Sequence, residues 1–353
     1  MSTKKINIIG LMSGTSLDGL DLVYVTFDKN SYENFEIKNS ETIAYSKLWK
    51  EKLAKAIDKS DLELEKLDLE YGQLLAEKVN SFINKNRIKN IDFIASHGHT
   101  ILHQPENRIT LQIGNGQLLA NKTQHKVVCD FRTQDVNLGG QGAPLVPIGD
   151  EFLFHQYDAC LNLGGFANVS FKEHNKRIAF DICPVNIVLN YYVNTMGIDY
   201  DNKGKIASAG IIHTKLLEEL NSLNYYKTKP PKSLGLEWVQ STIFPLIDNK
   251  NLEIKDVLAT FVEHIAIQIS KSTKKCMNVF ITGGGVLNEF LIKRIEHYSN
   301  LEIIIPNAQI INYKEALIFA FLGLLRVDNQ VNCLSSVTGA SKDHSSGEIF
   351  TPK

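Results

Sequence analysis

The sequence predicts an α/β protein built from two similar domains, and three observations carry that expectation. A buried apolar run at 6–12, a glycine-containing turn at 14–19 and a second apolar run at 20–27 read as an antiparallel hairpin with a Gly/Ser/Thr tip. The same grammar restarts at 159–163, with Gly164-Gly165 as the turn and 166–171 as the returning strand. The chain has 353 residues, too many for one ordinary domain and enough for two that each bury a core.

The remaining elements follow in order. After the first hairpin, 35–45 reads as a third strand, and 48–57 and 62–83 space their apolar residues as helices do. A short buried strand at 91–96 ends in His97-Gly98-His99, followed by a helix around 118–121 and a strand at 126–129. In the second half, 177–180 is a strand and Pro184 opens a helix, because proline suits a first turn. Helices are expected at 214–223, 236–247 and 254–271, a strand at 277–282, then three glycines and a helix at 287–298. A strand at 301–305 and a helix at 313–325 complete the pattern. The seam is expected near 131–149, which carries Gly139-Gly140-Gln141-Gly142, Pro144 and Pro147. This makes 1–132 the first domain, with 327–353 returning to it, and 133–326 the second.

Composition excludes several classes. Hydrophobic residues at 43% and charged residues at 22% are ordinary globular values. A net charge of −1 leaves no electrostatic case for nucleic acid or an anionic membrane surface. The apolar start at Ile6 is broken by Gly10, Ser13 and Gly14 before a signal-peptide core can form, and no run approaches about 18 uninterrupted apolar residues. A soluble, cytoplasmic protein is the expectation. The five cysteines, Cys129, Cys160, Cys183, Cys276 and Cys333, are too scattered for a zinc knuckle or redox pair and read as reduced, buried thiols.

Several motifs carry chemistry. In Gly14-Thr15-Ser16-Leu17-Asp18-Gly19, glycines let backbone amides approach an anion, hydroxyls add donors, and Asp18 suits Mg²⁺; a plain hairpin turn is the alternative. A P-loop is excluded by the missing Gly-Lys-Ser/Thr. Asn162-Leu163-Gly164-Gly165 has the same logic at the second tip. Asp181, read as lying just after a strand and before a helix, is placed as a catalytic base or as a helix-start acid. Gly283-Gly284-Gly285 with Asn288 leaves room for a nucleotide base or ribose over the backbone, against a plain packing turn. Glu315 reads as a second acid or, with Asn312, as a capping box. His97, Asp130 and Arg132 suit a sugar or a carboxylate, with Arg132 as a bidentate clamp.

At these residues the chain resembles the anhydro-N-acetylmuramic acid kinase family, nearly end to end. The resemblance runs through Gly10-Leu-Met-Ser-Gly-Thr-Ser-Leu-Asp-Gly-Leu-Asp21, Ser96-His97-Gly98, Asp130-Phe131-Arg132 and Gly139-Gly-Gln-Gly-Ala-Pro-Leu-Val-Pro147. It continues in Asn162-Leu-Gly-Gly-Phe-Ala-Asn168, Pro230-Pro-Lys-Ser233, Gly283-Gly-Gly285 with Asn288, Glu315-Ala316 and Ser336-Val-Thr-Gly-Ala340. It implies a two-domain actin/hexokinase-like (ribonuclease H-like) fold with ATP in the interdomain cleft. It implies ATP and Mg²⁺ as cofactors, and a reaction in which water opens a 1,6-anhydro sugar and the freed O6 takes the γ-phosphoryl group. The product would be N-acetylmuramic acid 6-phosphate, part of peptidoglycan recycling. By this resemblance Asp181 is the general base, Glu315 a second acid, and Gly14, Thr15, Ser16, Leu17, Asp18, Gly19, Leu20 and Asp21 the ATP loop. Asn162, Gly164, Gly165, the three glycines and Asn288 complete the nucleotide site, and His97, Asp130, Arg132 and Gln141 meet the sugar. The partners implied are an amino sugar and ATP, with no nucleic acid or membrane; a homodimer stays open.

The chain departs from the family pattern at three places. Cys183 and Val185 replace glycines beside Asp181, and side chains there are expected to crowd the substrate or restrict the backbone. Leu236 replaces an arginine, and His99 a glutamine. A kinase for another anhydro- or amino sugar, or a sugar- or nucleotide-binding protein with weak turnover, therefore stands beside the main reading.

Overall fold

A computed structural model describes residues 5–14 and 16–353. Contacts divide the chain into two units: Met1–Leu153 with Tyr313–Lys353, and Phe154–Asn312.

The first unit is built on β1 (Lys5–Ser13), β2 (Gly19–Asp28) and β3 (Ser31–Ala44), an antiparallel meander. β1 is buried along most of its length, as its near-continuous apolar run requires. β3 alternates exposed and half-buried residues and carries the charges expected of an edge. β4 (Phe93–Gln104) joins β1 in parallel, β5 (Ile109–Ile113) folds back on β4, and β6 (Val127–Cys129) joins β4 in parallel. Helix Asp61–Asn86 starts at a Ser60/Glu63 capping box and buries Leu64, Leu67, Tyr71, Leu75, Val79 and Phe82, spaced along one face.

In the second unit, β7 (Ala159–Leu163), β8 (Phe166–Glu173) and β9 (Lys176–Pro184) form another antiparallel meander. β10 (Asn278–Thr282) joins β7 in parallel and β11 (Glu302–Ile304) joins β10. Helix Ile254–Ser272 is buried nearly all round. The strand orders are β3-β2-β1-β4-β6 and β9-β8-β7-β10-β11, so one topology occurs twice: meander, then two parallel strands on the far side of the first. This repeated order is the ribonuclease H-like plan, and it establishes the two-domain actin/hexokinase-like α/β class. The last strand of the chain, β12 (Glu348–Phe350), pairs with β6 in the first unit.

Several expectations need correction. Contact boundaries fall after Leu153 and Asn312 rather than after 132 and 326. Segment 133–153 joins the first unit because Asp135 binds the Gly142 amide and the Thr338 hydroxyl, both at 2.7 Å. Residues from 313 onward join it because Ala316 and Ala320 pack on Gly10, and Gly323 on Ala95. β4 does not stop at Ser96 but runs through His97-Gly98-His99, where β5 supplies a partner. β9 runs past Asp181 to Pro184, so Asp181 is inside a strand, opposite Asn168. Helix Ala308–Val327 begins well before Asn312. Its first turn is capped by Asn307 Oδ1, which accepts from Ile310 N at 3.0 Å, so Asn312 and Glu315 form no capping box. Among the described residues, no helix is long and apolar enough to cross a membrane.

Gly10 is where helix Ala308–Val327 rests on β1. A Cβ there would fall 2.2 Å from the Ala316 carbonyl oxygen and 2.9 Å from Ala320 Cβ. Gly10→Ala is expected to destabilise the protein by about 1–3 kcal/mol through overpacking, read as a lower denaturation midpoint. Gly284→Ala, with nothing within 4 Å of the added carbon, leaves that midpoint in place; equal midpoints for the two variants would refute the packing account.

Candidate functional site

In the first unit the hairpin tip closes through Leu17 N–H donating to the Gly14 carbonyl at 3.3 Å. Leu17 takes a left-handed φ of 59°. Ser16 and Asp18 are exposed; Thr15 lies outside the described residues. Leu17 packs against the core and Leu20 lies inside it, so a ligand would meet chiefly the backbone of these two. Gly19 is required by β3, since a Cβ would lie 2.6 Å from the Ile43 carbonyl oxygen.

Asp21 Oδ1 accepts from Thr42 Oγ1 at 2.6 Å. Burial raises its pKa, the Thr42 hydroxyl opposes this, and the charge of Asp18 adds to it. Glu315 has an exposed side chain. Protein packed around it raises its pKa; Arg132 pulls it down, Asp21 pushes it up and Lys314 pulls it down. Asp21 thus sits in the field of two other carboxylates, a concentration of negative charge that a hard cation would relieve.

Behind the tip runs a buried chain of hydroxyls. Tyr71 and Tyr45 are 2.6 Å apart, Tyr45 donates to Ser13 Oγ at 2.7 Å, and Ser13 Oγ lies 2.8 Å from His99 Nδ1. Ser13 accepts from Tyr45 and has a proton to offer the Nδ1 of a neutral His99. Burial lowers the His99 pKa to about 4, in agreement.

Arg132 Nε and Nη2 lie 3.0 and 2.9 Å from His97 Nε2, and Nη1 donates to the Gly142 carbonyl at 2.6 Å. His97 Nε2 therefore accepts, and its proton sits on Nδ1, 3.0 Å from the Gly98 carbonyl. Burial first, then the Arg132 charge, holds the His97 pKa well down. The bidentate carboxylate clamp expected of Arg132 is thus committed to His97 and the backbone in this arrangement. Asp130, at φ 53°, accepts from Thr133 N at 3.2 Å through Oδ1, just before the short helix Thr133–Asn137. Gln141 has an exposed side chain and donates its backbone N–H to Thr338 O at 2.8 Å.

In the second unit, β7 and β10 are parallel neighbours with Asn162 beside Thr282, so their glycine loops emerge together. A Cβ at Gly283, φ 86°, would fall 2.5 Å from Asn162 Oδ1, and one at Gly285 2.7 Å from Leu163 Cβ. These two glycines are packing requirements. Gly284 and Gly165 are not: nothing lies within 4 Å of a Cβ at 284, and only Ile187 Cβ, at 3.8 Å, for 165. Gly164 would meet Asn162 Nδ2 at 3.3 Å. Asn288 is the N-cap of helix Glu289–Tyr298, its Oδ1 accepting from Leu291 N at 3.0 Å.

Asp181 is half-buried. Oδ2 accepts from Leu234 N at 2.8 Å, and among the described residues Oδ1 has no partner. Its N–H donates to Lys232 O at 3.2 Å and its carbonyl accepts from Tyr225 O–H at 2.5 Å. Burial raises its pKa, against the Leu234 amide. Lys232 Nζ lies over the Tyr225 ring, 4.4 Å from its centre. Lys232 O and Leu234 N, in and just after the Pro230-Pro-Lys-Ser233 string, form with Tyr225 the strap that holds Asp181. Cys183 and Val185 are both fully buried in the core of this unit, Val185 at φ −130° and ψ −99° as the N-cap of the helix that follows. The crowding expected of them does not occur in the unit. Leu236 is exposed.

A family model described as anhydro-N-acetylmuramic acid kinase matches residues 6–352. An anhydro-N-acetylmuramic acid kinase from Saccharophagus degradans is 34% identical over 98% of this chain and 98% of its own length. One from Haemophilus influenzae is 32% identical over 97% of each. Among solved structures, the activator of 2-hydroxyisocaproyl-CoA dehydratase from Clostridium difficile with bound ADPNP aligns over 92% of this chain and 97% of its own, at a TM-score of 0.46 and 14% identity. A match that begins in β1 and ends in the last residues of the tail, with relatives one-third identical throughout, means that the chain belongs to the anhydro-N-acetylmuramic acid kinase family.

Proposed function

We propose that the protein uses ATP to phosphorylate 1,6-anhydro-N-acetylmuramic acid with hydrolysis of its anhydro bond. The observation that carries this reading is Asp181, fixed through Oδ2 and its backbone while Oδ1 stays open. In this reading Oδ1 takes a proton from water, whose oxygen bonds to C1 as the C1–O6 bond breaks. The electron pair left on O6 forms the bond to the γ-phosphorus, and ADP leaves. A positioned carboxylate is what attack at an anomeric carbon needs, and raising its pKa makes it a better proton acceptor.

The open glycine backbone at 165 and 284 suits close approach by a nucleotide's phosphates or sugar. The first bond of the turn at Gly284–Leu287 is Val286 N to Gly283 O, so the amides of Gly284 and Gly285 precede it. In the first unit, Ser16 and Asp18 are exposed at the hairpin tip and suit contact with a nucleotide's phosphates. Asp18 and Asp21 suit Mg²⁺, since both offer hard oxygen donors and Asp21 is already burdened by like charge. The ion would neutralise charge developing on the phosphoryl group. The cytoplasm is the compartment this reading expects.

Asp181→Asn should leave ATP binding nearly intact and lower turnover by roughly 100-fold or more, the scale of general-base loss. Release of ADP that depends on 1,6-anhydro-N-acetylmuramic acid measures it; unchanged turnover removes Asp181 from the role. Because the pKa of Asp181 is raised above 3.8, kcat/KM should decline toward acid with a limb above that value, and the limb should vanish in the variant. Gly284→Ala should fold normally yet raise the KM for ATP, since its added carbon occupies open space over the backbone; an unchanged KM removes Gly284 from the nucleotide site. If ADP appears only with other sugars, the substrate assignment is wrong while the kinase assignment stands.

A further inference from the structure

Asp135, Cys333 and His344 come from three separate stretches of the first unit and are 0%, 2% and 5% exposed. One donor atom from each lies within 4.8 Å of the others. His344 Nδ1 is 3.2 Å from the Lys342 carbonyl oxygen. A carbonyl only accepts, so Nδ1 carries a proton. His344 Nε2 is buried without a hydrogen-bond partner, 3.5 Å from Asp135 Oδ1. In the neutral ring that nitrogen is a bare lone pair facing a carboxylate and a sulfur, an arrangement with no internal compensation.

We propose that Asp135, Cys333 and His344 form a buried binding site for a divalent cation of the zinc class. The donors are one nitrogen, one oxygen and one sulfur, the set that suits a borderline-soft ion. Two of the three are oriented as metal ligands are: His344 through Nδ1–H to a carbonyl, and Asp135 through Thr338 Oγ1 and the Gly142 amide, both at 2.7 Å. Charge also closes, since a dication with one carboxylate and one thiolate is neutral, as an interior site requires. On binding, the Cys333 S–H bond breaks, sulfur bonds to the metal and the proton leaves to solvent. Without metal, burial keeps the thiol protonated. The ion would tie the tail to the 135–142 loop, whose Gly142 carbonyl receives Arg132.

The test uses the full chain, stripped with a chelator and then titrated with zinc against a chromogenic competitor. A single zinc per chain is expected, with affinity lost in His344→Gln and Cys333→Ser by more than the roughly 10–100-fold of an outer-sphere change. Should either variant fold poorly, cobalt(II) added to the unaltered chain must show a thiolate-to-metal charge-transfer band. No zinc uptake by the unaltered chain, equal affinity in the folded variants, or cobalt without that band overturns the site.

Discussion

A helix leaves its first amides without partners, and in the second unit two glycine carbonyls answer three of them. Val185 N and Ile187 N donate to Gly165 O at 2.8 and 3.2 Å, and Asn186 N to Gly164 O at 3.3 Å. The tip of β7–β8 and the start of helix Asn186–Asn194 are therefore one object. Because β9 leads directly into that helix, the same bonds set where Asp181 lies relative to the tip. The β7–β10 pairing then brings in the second glycine loop, with Gly283 against Asn162. Every candidate site residue of this unit hangs on that one closure. It also explains why Cys183 and Val185 are tolerated: the backbone is held by its own hydrogen bonds, and the side chains fill the core behind it.

The glycines separate into two kinds by what a Cβ would meet. Gly10, Gly19, Gly283 and Gly285 sit where carbonyl oxygens or side chains come within 3 Å, so the fold itself demands them. Gly165 and Gly284 face space at ordinary backbone angles. A residue the fold does not need to be glycine can still need to be glycine for a ligand. This distinction gives the nucleotide reading a physical basis in the second unit that string matching lacks.

Both hairpins, the core strands and the long helices were legible from local signals, because continuous apolar runs and glycine tips are short-range features. What failed depended on partners distant in sequence. β4 runs through His97-Gly98-His99 because β5 pairs with it, and the expected strand end at Ser96 ignored that hairpin. Asp181 looks terminal in the sequence because the strand is expected to end at 180 and a helix to open at Pro184, whereas β8 carries β9 to Pro184. Asn312 looked like a cap because Asn307, five residues earlier, had already taken the role. Arg132 looked free because its acceptor, His97, lies 35 residues back. Around Asp181 the sequence offers the acid as a candidate, while Tyr225 and Leu234, which bind it, carry no local signature.

The two acids assigned to chemistry stand in different electrostatic settings. Asp181 is raised by burial and opposed by a single amide, with no like charge among its causes. Its basicity is thus a property of the strap and the core, and it is available before any phosphate arrives. Asp21 feels the charge of Asp18, and Glu315 feels those of Arg132, Asp21 and Lys314, so a cation or a phosphate entering beside them would shift Asp21 and Glu315 together. A base acting on water needs the first kind of setting. A group whose protonation follows nucleotide binding needs the second. This contrast is why the proposed reading gives proton abstraction to Asp181 and leaves Asp21 and Glu315 to answer a bound cation's charge.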